Sequence, residues 1–166
     1  MHSLIDADIL VYRIGFTTQE EGFGIAAWRM SNLIEQILDA TKATSFQCYL
    51  TQSKDDTAFR RKIYPEYKMN RKAPRPVHYD ELREFLMKDW SAKMVSCIEA
   101  DDAIGIDSNR DDCVIVSIDK DLLQLPGLHY NFVKQEFKTV TKEEGIRFFY
   151  QQCLTGDTAD NVKGIA

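Results

Sequence analysis

Four short apolar runs, separated by stretches with helical spacing, set the limits on what this chain can fold into. The runs are Leu4-Ile5, Phe46–Thr51, Met94–Ile98 and Cys113–Ile118. Between the first two, Met30, Leu33, Ile34, Ile37 and Leu38 repeat at i, i+3 and i+4, which predicts a helix over 25–40. Residues 8–16, 57–64 and 80–90, and a stretch from about Ala100, also read as helical. Pro65, Pro74 and Pro76 break or shorten any helix over 65–76. A short helix is expected over Asp121–Leu125. A strand pair, Leu128–Val133 and Phe137–Val140, follows the Pro126-Gly127 turn. Thr141-Lys-Glu-Glu144 is a capping box, opening a helix through about Thr155 that ends at Gly156. Strands alternating with helices predict an α/β domain with a mostly parallel sheet. At 166 residues, one domain with a sizeable core is expected.

Acids stand at the ends of these runs. Asp6 follows the first, Glu99-Ala-Asp101-Asp102 the third, and Asp119-Lys-Asp121 the fourth. Asp157 and Asp160 sit in Gly-Asp-Thr-Ala-Asp-Asn near the C-terminus. Taken singly, each cluster reads as an ordinary helix N-terminus or turn, where acids are favoured by the macrodipole and by capping. Together they have a different meaning, because ligands of parallel α/β sheets bind beyond the carboxyl ends of the strands. Two like charges 4 Å apart cost about 4 kcal/mol at an effective dielectric of 20, and a domain is stable by only about 5–15 kcal/mol. Eight carboxylates on one rim require protons, lysines or cations between them. Oxygen-only ligands suit Mg²⁺ or Mn²⁺ rather than zinc, and a pair of such ions is a standard device for phosphodiester hydrolysis.

The net charge of −5 conceals a bipolar distribution. Between Arg60 and Arg75 lie seven basic residues, Arg60, Arg61, Lys62, Lys68, Arg71, Lys72 and Arg75, against the single acid Glu66. Lys68 and Arg71, at i and i+3, share a face if the segment is helical and are suited to hold a phosphate. Arg60, Arg61, Lys62, Lys72 and Arg75 are candidate nucleic-acid contacts. Tyr64 and Tyr67 read as packing residues. Cys48, Cys97, Cys113 and Cys153 lack CxxC spacing and read as buried free thiols. His2, His78 and His129 are scattered and read as structural or surface residues. Neither a bilayer-spanning stretch nor a signal peptide is found, so a cytoplasmic protein is expected.

Asp6, Tyr67-Lys-Met-Asn-Arg71, Glu99-Ala-Asp-Asp102, Asp119-Lys-Asp121 and Gly156-Asp-Thr-Ala-Asp-Asn161 occur in the order of the 5′ nucleases. The chain resembles that family of bacterial and phage 5′–3′ exonucleases and flap endonucleases from Leu4 to Ile165, and most of all its compact phage members. The resemblance implies a PIN-like fold with a single catalytic domain over 1–166. It implies a basic, arch-like segment over about 60–90. It implies two divalent ions, the first held by Asp6, Glu99, Asp101 and Asp102 and the second by Asp119, Asp121, Asp157 and Asp160. Lys68 and Arg71 would contact the reacting phosphate. The implied substrates are DNA with free 5′ ends, flaps or RNA primers, cut during replication by a monomer working beside replication proteins in the host cytoplasm.

Two departures stand out. Most members carry a metal-site Asp at the end of the second strand, where this chain has Thr51, with Asp55 and Asp56 in the following loop as possible substitutes. Beyond Gly164-Ile165-Ala166 the family continues into a helix–turn–helix that grips duplex DNA and binds K⁺. The expectation here is that this element, beginning at about 156–166, and its K⁺ site are absent or truncated. Two other readings share the fold: a PIN-type ribonuclease, and a catalytically impaired module that binds branched DNA.

Overall fold

The computed structural model describes residues 1–52, 58–70, 74–110 and 112–165, apart from the side chains of Ala58 and Phe59. In order, the elements are β1 (His2–Asp6), α1 (Ala7–Thr17), α2 (Phe23–Thr41), β2 (Ser45–Thr51), α3 (Ala58–Ile63), α4 (Tyr79–Asp89), β3 (Lys93–Val95) and α5 (Ala100–Asp107). Then come β4 (Cys113–Val116), a 3₁₀ turn (Asp121–Gln124), β5 (Gly127–Asn131), β6 (Glu136–Val140), α6 (Lys142–Thr155) and the two-residue strands β7 (Gly156–Asp157) and β8 (Val162–Lys163).

Six strands form one open sheet in the order β3-β2-β1-β4-β5-β6. Strands β1 to β5 run parallel, and β6 returns antiparallel to β5. The α/β expectation therefore holds, with helices on both faces. Parallel strands covered on both sides need apolar residues at successive positions, which is why Leu4 and Ile5 are both fully buried. Ile5, Val114 and Val116 face the layer built by Leu10, Met30, Ile34, Leu82 and Leu86 of α1, α2 and α4. Leu4, Tyr49 and Ile115 face Ala103 and Ile104 of α5. The chain moves outward from β1 through β2 to β3, then crosses back to β4. The order thus reverses at β1/β4, and a binding crevice is expected at the carboxyl ends there.

Three local expectations change. The third strand stops at Val95, because the chain bends over Ser96–Ile98, with Cys97 at φ 65, to deliver Glu99 to the start of α5. Cys97 is consequently exposed, as is Cys153 on α6; only Cys48 is buried, and all four thiols are free. The long helix begins at Phe23 and takes Gly24 into its first turn. The remaining boundaries fall within a few residues of the periodicity. The capping box holds, with the Thr141 hydroxyl accepting from the Glu144 amide at 3.2 Å. His78 and His129 are buried and hydrogen-bonded to backbone carbonyls, as structural residues are. No helix among the described residues is long and apolar enough to cross a membrane.

Candidate active site

Asp6 is the last residue of β1 and is 3% exposed. Its carboxylate accepts the Ile9 amide at 3.4 Å, capping α1, and the Ser117 hydroxyl at 3.0 Å. Ser117 follows β4, and its hydroxyl oxygen also accepts the Asp119 amide at 3.0 Å. One hydroxyl therefore ties together the ends of two adjacent strands and the acids they carry.

These strand ends open onto a cavity of about 720 Å³. Asp6, Glu99, Asp101, Asp119 and Lys68 line it, as the sequence predicts, together with Asp8, Thr51 and the aromatic side chains of Tyr12, Phe16 and Tyr79. The Lys68 ammonium donates to both Glu99 oxygens, at 2.8 and 2.9 Å, and lies 3.8 Å from Asp160. The Tyr67 hydroxyl donates to Glu99 at 3.0 Å. Tyr67 is thus a buried positioning residue, consistent with its reading as packing.

Asp102 does not line the cavity. It accepts the Glu99 amide at 2.9 Å and pairs with Arg60 at 2.7 Å. Arg60, expected on the nucleic-acid side, has its guanidinium turned onto Asp102 and Glu99, the latter at 3.3 Å. Arg61 and Lys62 are exposed on α3, and the Arg75 guanidinium stacks 4.4 Å from the Tyr79 ring centroid. Arg71, Lys72, Asp55 and Asp56 lie outside the described residues.

The second acid group gathers beside the first around Gln152 of α6. Its amide donates to Asp121 at 2.6 Å and to Asp157 at 3.4 Å. Asp157 also accepts the Ala159 amide at 2.8 Å and pairs with Lys120 at 3.0 Å. The backbone of Asp160 accepts the Lys68 amide at 2.9 Å, which anchors the basic segment to the C-terminal loop. None of this was visible in the spacing of Gln152, an uncharged residue in a helix. Asp8 and Arg83 were missed as well. Arg83, on α4 and 4% exposed, pairs with Asp8 at 2.7 Å and donates to the Thr51 carbonyl.

The electrostatics show how crowded the acids are. Burial pushes the Asp6 carboxyl well above its usual range, and the charges of Asp101 and Asp8 push it further. Burial, then the charge of Asp119, raises Asp101 to about 7 against the opposing pull of Lys68. Asp121 is also raised, by burial first and then by Asp119 and Asp157, with Gln152 opposing. Burial pulls Asp157 up, but Lys120 and two backbone amides outweigh it, leaving that carboxyl below its usual value.

Among the described residues, no three His, Cys, Asp or Glu side chains close on one point as a ready-made metal cage. The chemistry of the set nonetheless fits a hard divalent cation. The donors are oxygens, and burial together with neighbouring acids holds Asp6 and Asp101 above their usual range, which a bound cation would relieve. Asp6, Asp8, Glu99, Asp101 and Asp119 are the side chains available to hold such an ion.

Residues 1–151 match the family described as 5′-3′ exonuclease, N-terminal resolvase-like domain. A 5′-3′ exonuclease of Buchnera aphidicola is 28% identical over 98% of the chain and 64% of its own length. The chain thus spans a little under two thirds of that relative. A DNA polymerase I of Rhizobium leguminosarum is 34% identical over 64% of the chain and 12% of its own length. Among solved structures, a bacteriophage T5 5′-exonuclease with bound divalent metal ions (zinc) superimposes with a TM-score of 0.73 at 19% identity, over 99% of this chain and 70% of that one. A T5 flap endonuclease in a pseudo-enzyme–product complex with DNA and metal ions gives 0.67 at 20% identity, over 99% and 69%. These two likenesses confirm the PIN-like fold.

Proposed function

Because the chain belongs to the family of 5′-3′ exonuclease N-terminal, resolvase-like domains, we propose that it is a divalent-metal-dependent 5′ nuclease. It hydrolyses phosphodiester bonds near the 5′ ends of DNA, or of RNA primers on DNA, in phage replication or repair. The observation that carries this reading is the cavity at the carboxyl ends of β1 and β4, where Asp6, Glu99, Asp101, Asp119 and Lys68 face one another.

A divalent cation such as Mg²⁺ or Mn²⁺, held there by Asp6, Glu99, Asp101 and Asp119, would supply Lewis acidity toward the phosphate and lower the pKa of water at the site. The chain's own residues set the rest. Asp6 and Asp101 sit on rigid strand and helix ends, so the negative surface that binds cations is preorganised. Lys68 brings an ammonium into the cavity beside the acids, where it offsets charge developing on the phosphate. Arg71 is proposed to act beside it, as the sequence implies. Tyr12, 40% exposed on the cavity lining and backed by the buried Tyr79 ring with centroids 5.4 Å apart, offers aromatic surface to an unpaired base.

The test is incubation of a 5′-labelled flap DNA with and without Mn²⁺. Metal-dependent release of short 5′ products is expected, and no cleavage with either Mg²⁺ or Mn²⁺ overturns the reading. Replacing Lys68 by Ala removes a preorganised donor and is expected to slow cleavage about 10²–10³-fold. A structured RNA cut in preference to the flap would favour a PIN-type ribonuclease instead.

A further inference from the structure

Asp8 is not among the residues that the resemblance assigns to a metal ion, yet it lines the same cavity as Asp6 and Asp101. It stands on the first turn of α1, two residues beyond the end of β1. One carboxylate oxygen accepts Arg83 at 2.7 Å, and the other accepts the Thr51 amide at 2.9 Å. Thr51 ends β2, the place where the resemblance leads to an acid. Its side chain is turned toward α5, where the hydroxyl accepts the Ala100 amide at 2.9 Å and caps the helix carrying Asp101. Strand β2 therefore contributes a helix cap and a backbone amide, but no carboxylate.

We propose that Asp8 supplies the divalent-cation ligand that β2 lacks, so that the acid has moved from the end of one strand to the first turn of the neighbouring helix. A carboxylate has about four acceptor positions, and Arg83 and the Thr51 amide use two of them. The Asp8 side chain is 25% exposed while Arg83 beneath it is 4% exposed, so the remaining acceptor positions face the cavity. Arg83 also bonds the Thr51 carbonyl. The guanidinium thus fixes the carboxylate against the end of β2, as an outer-shell partner orients a ligand. A carboxylate present only to neutralise Arg83 would have no reason to be held at the cavity surface by a second bond.

The inference rests on the proposed cation-dependent function, and one set of measurements separates the two. Mn²⁺ binding is followed by calorimetry without substrate, on the whole chain, for wild type, Asp8→Asn and Asp8→Asn/Thr51→Asp. Melting in EDTA establishes that each variant is folded. Asp8→Asn is expected to weaken the tighter Mn²⁺ site at least tenfold, and adding Thr51→Asp is expected to restore most of that loss. If Asp8 is only a strut for Arg83, the single variant melts lower but binds Mn²⁺ as wild type does, and the inference falls while the functional reading stands. A single variant that loses affinity with no recovery in the double variant also overturns it. Should Asp8→Asn fail to fold, the double variant decides, since it returns the negative charge to the same side of the cavity. Wild type without Mn²⁺ binding would remove both.

Discussion

Asp101 is the residue whose ionisation most depends on the fold. Its carboxyl is raised to about 7 in the folded chain, while an unfolded Asp titrates near 3.9. Between these values the folded state holds a proton that the unfolded state has released, so this group's contribution to stability falls as pH rises from about 4 to 7. The cation-free protein is therefore expected to gain stability as pH is lowered through that window. Asp101→Asn should flatten that dependence and raise the melting temperature at pH 8 in EDTA, which calorimetry would show. Lys68 carries a different strain. Its φ of 56 lies in the left-handed region, where a non-glycine residue costs roughly 1–2 kcal/mol. Lys68→Gly is accordingly expected to be about 1 kcal/mol more stable than Lys68→Ala in urea unfolding, with cleavage slowed to the same extent in both. At this scale the sequence exposed every acid later found in the cavity except Asp8, because strand-end acids share a pattern. Asp8 and Arg83 escaped because their pairing spans 75 residues and gives no local signal.

At the scale of elements, α6 serves the site through one close approach. A Cβ on Gly145 would meet the Gln124 carbonyl oxygen at 2.3 Å, so the helix can rest on the 3₁₀ turn only because no side chain intervenes. The same helix carries Gln152, which bonds Asp121 and Asp157. Gly145→Ala must push helix and turn apart, at a cost of about 1–3 kcal/mol for overpacking. At roughly 2–4 °C per kcal/mol for a chain of this size, a fall of several degrees in melting temperature is expected, together with weaker Mn²⁺ binding. Helix existence and most boundaries were readable from spacing and caps, since these are local. The short third strand was not. Met94–Ile98 is apolar but for Ser96, and the bend over Ser96–Ile98 that turns Glu99 onto α5 ends the strand at Val95. The pairing of β7 with β8 gave no signal either, being two residues on each side.

For the molecule as a whole, cation binding and folding are linked. An ion that binds only the folded cavity stabilises it by about 2.7 kcal/mol at a hundred times its Kd, or roughly 5–10 °C in melting temperature. An unchanged melting temperature in saturating Mg²⁺ and Mn²⁺ would count against the site. The sheet order has another consequence, in time rather than in space. Strand β1 lies inside the sheet and precedes both of its neighbours in the chain, which begin at Ser45 and Cys113. At about 5–20 residues per second, β1 and β2 wait on the order of several seconds before β4 emerges. Throughout that wait the apolar edge of β1 stands open, as a strand edge prone to pairing with other chains. Nascent chains stalled between β2 and β4 are thus the species most exposed to aggregation, and the rate of elongation over 52–116 sets how long each copy remains one of them.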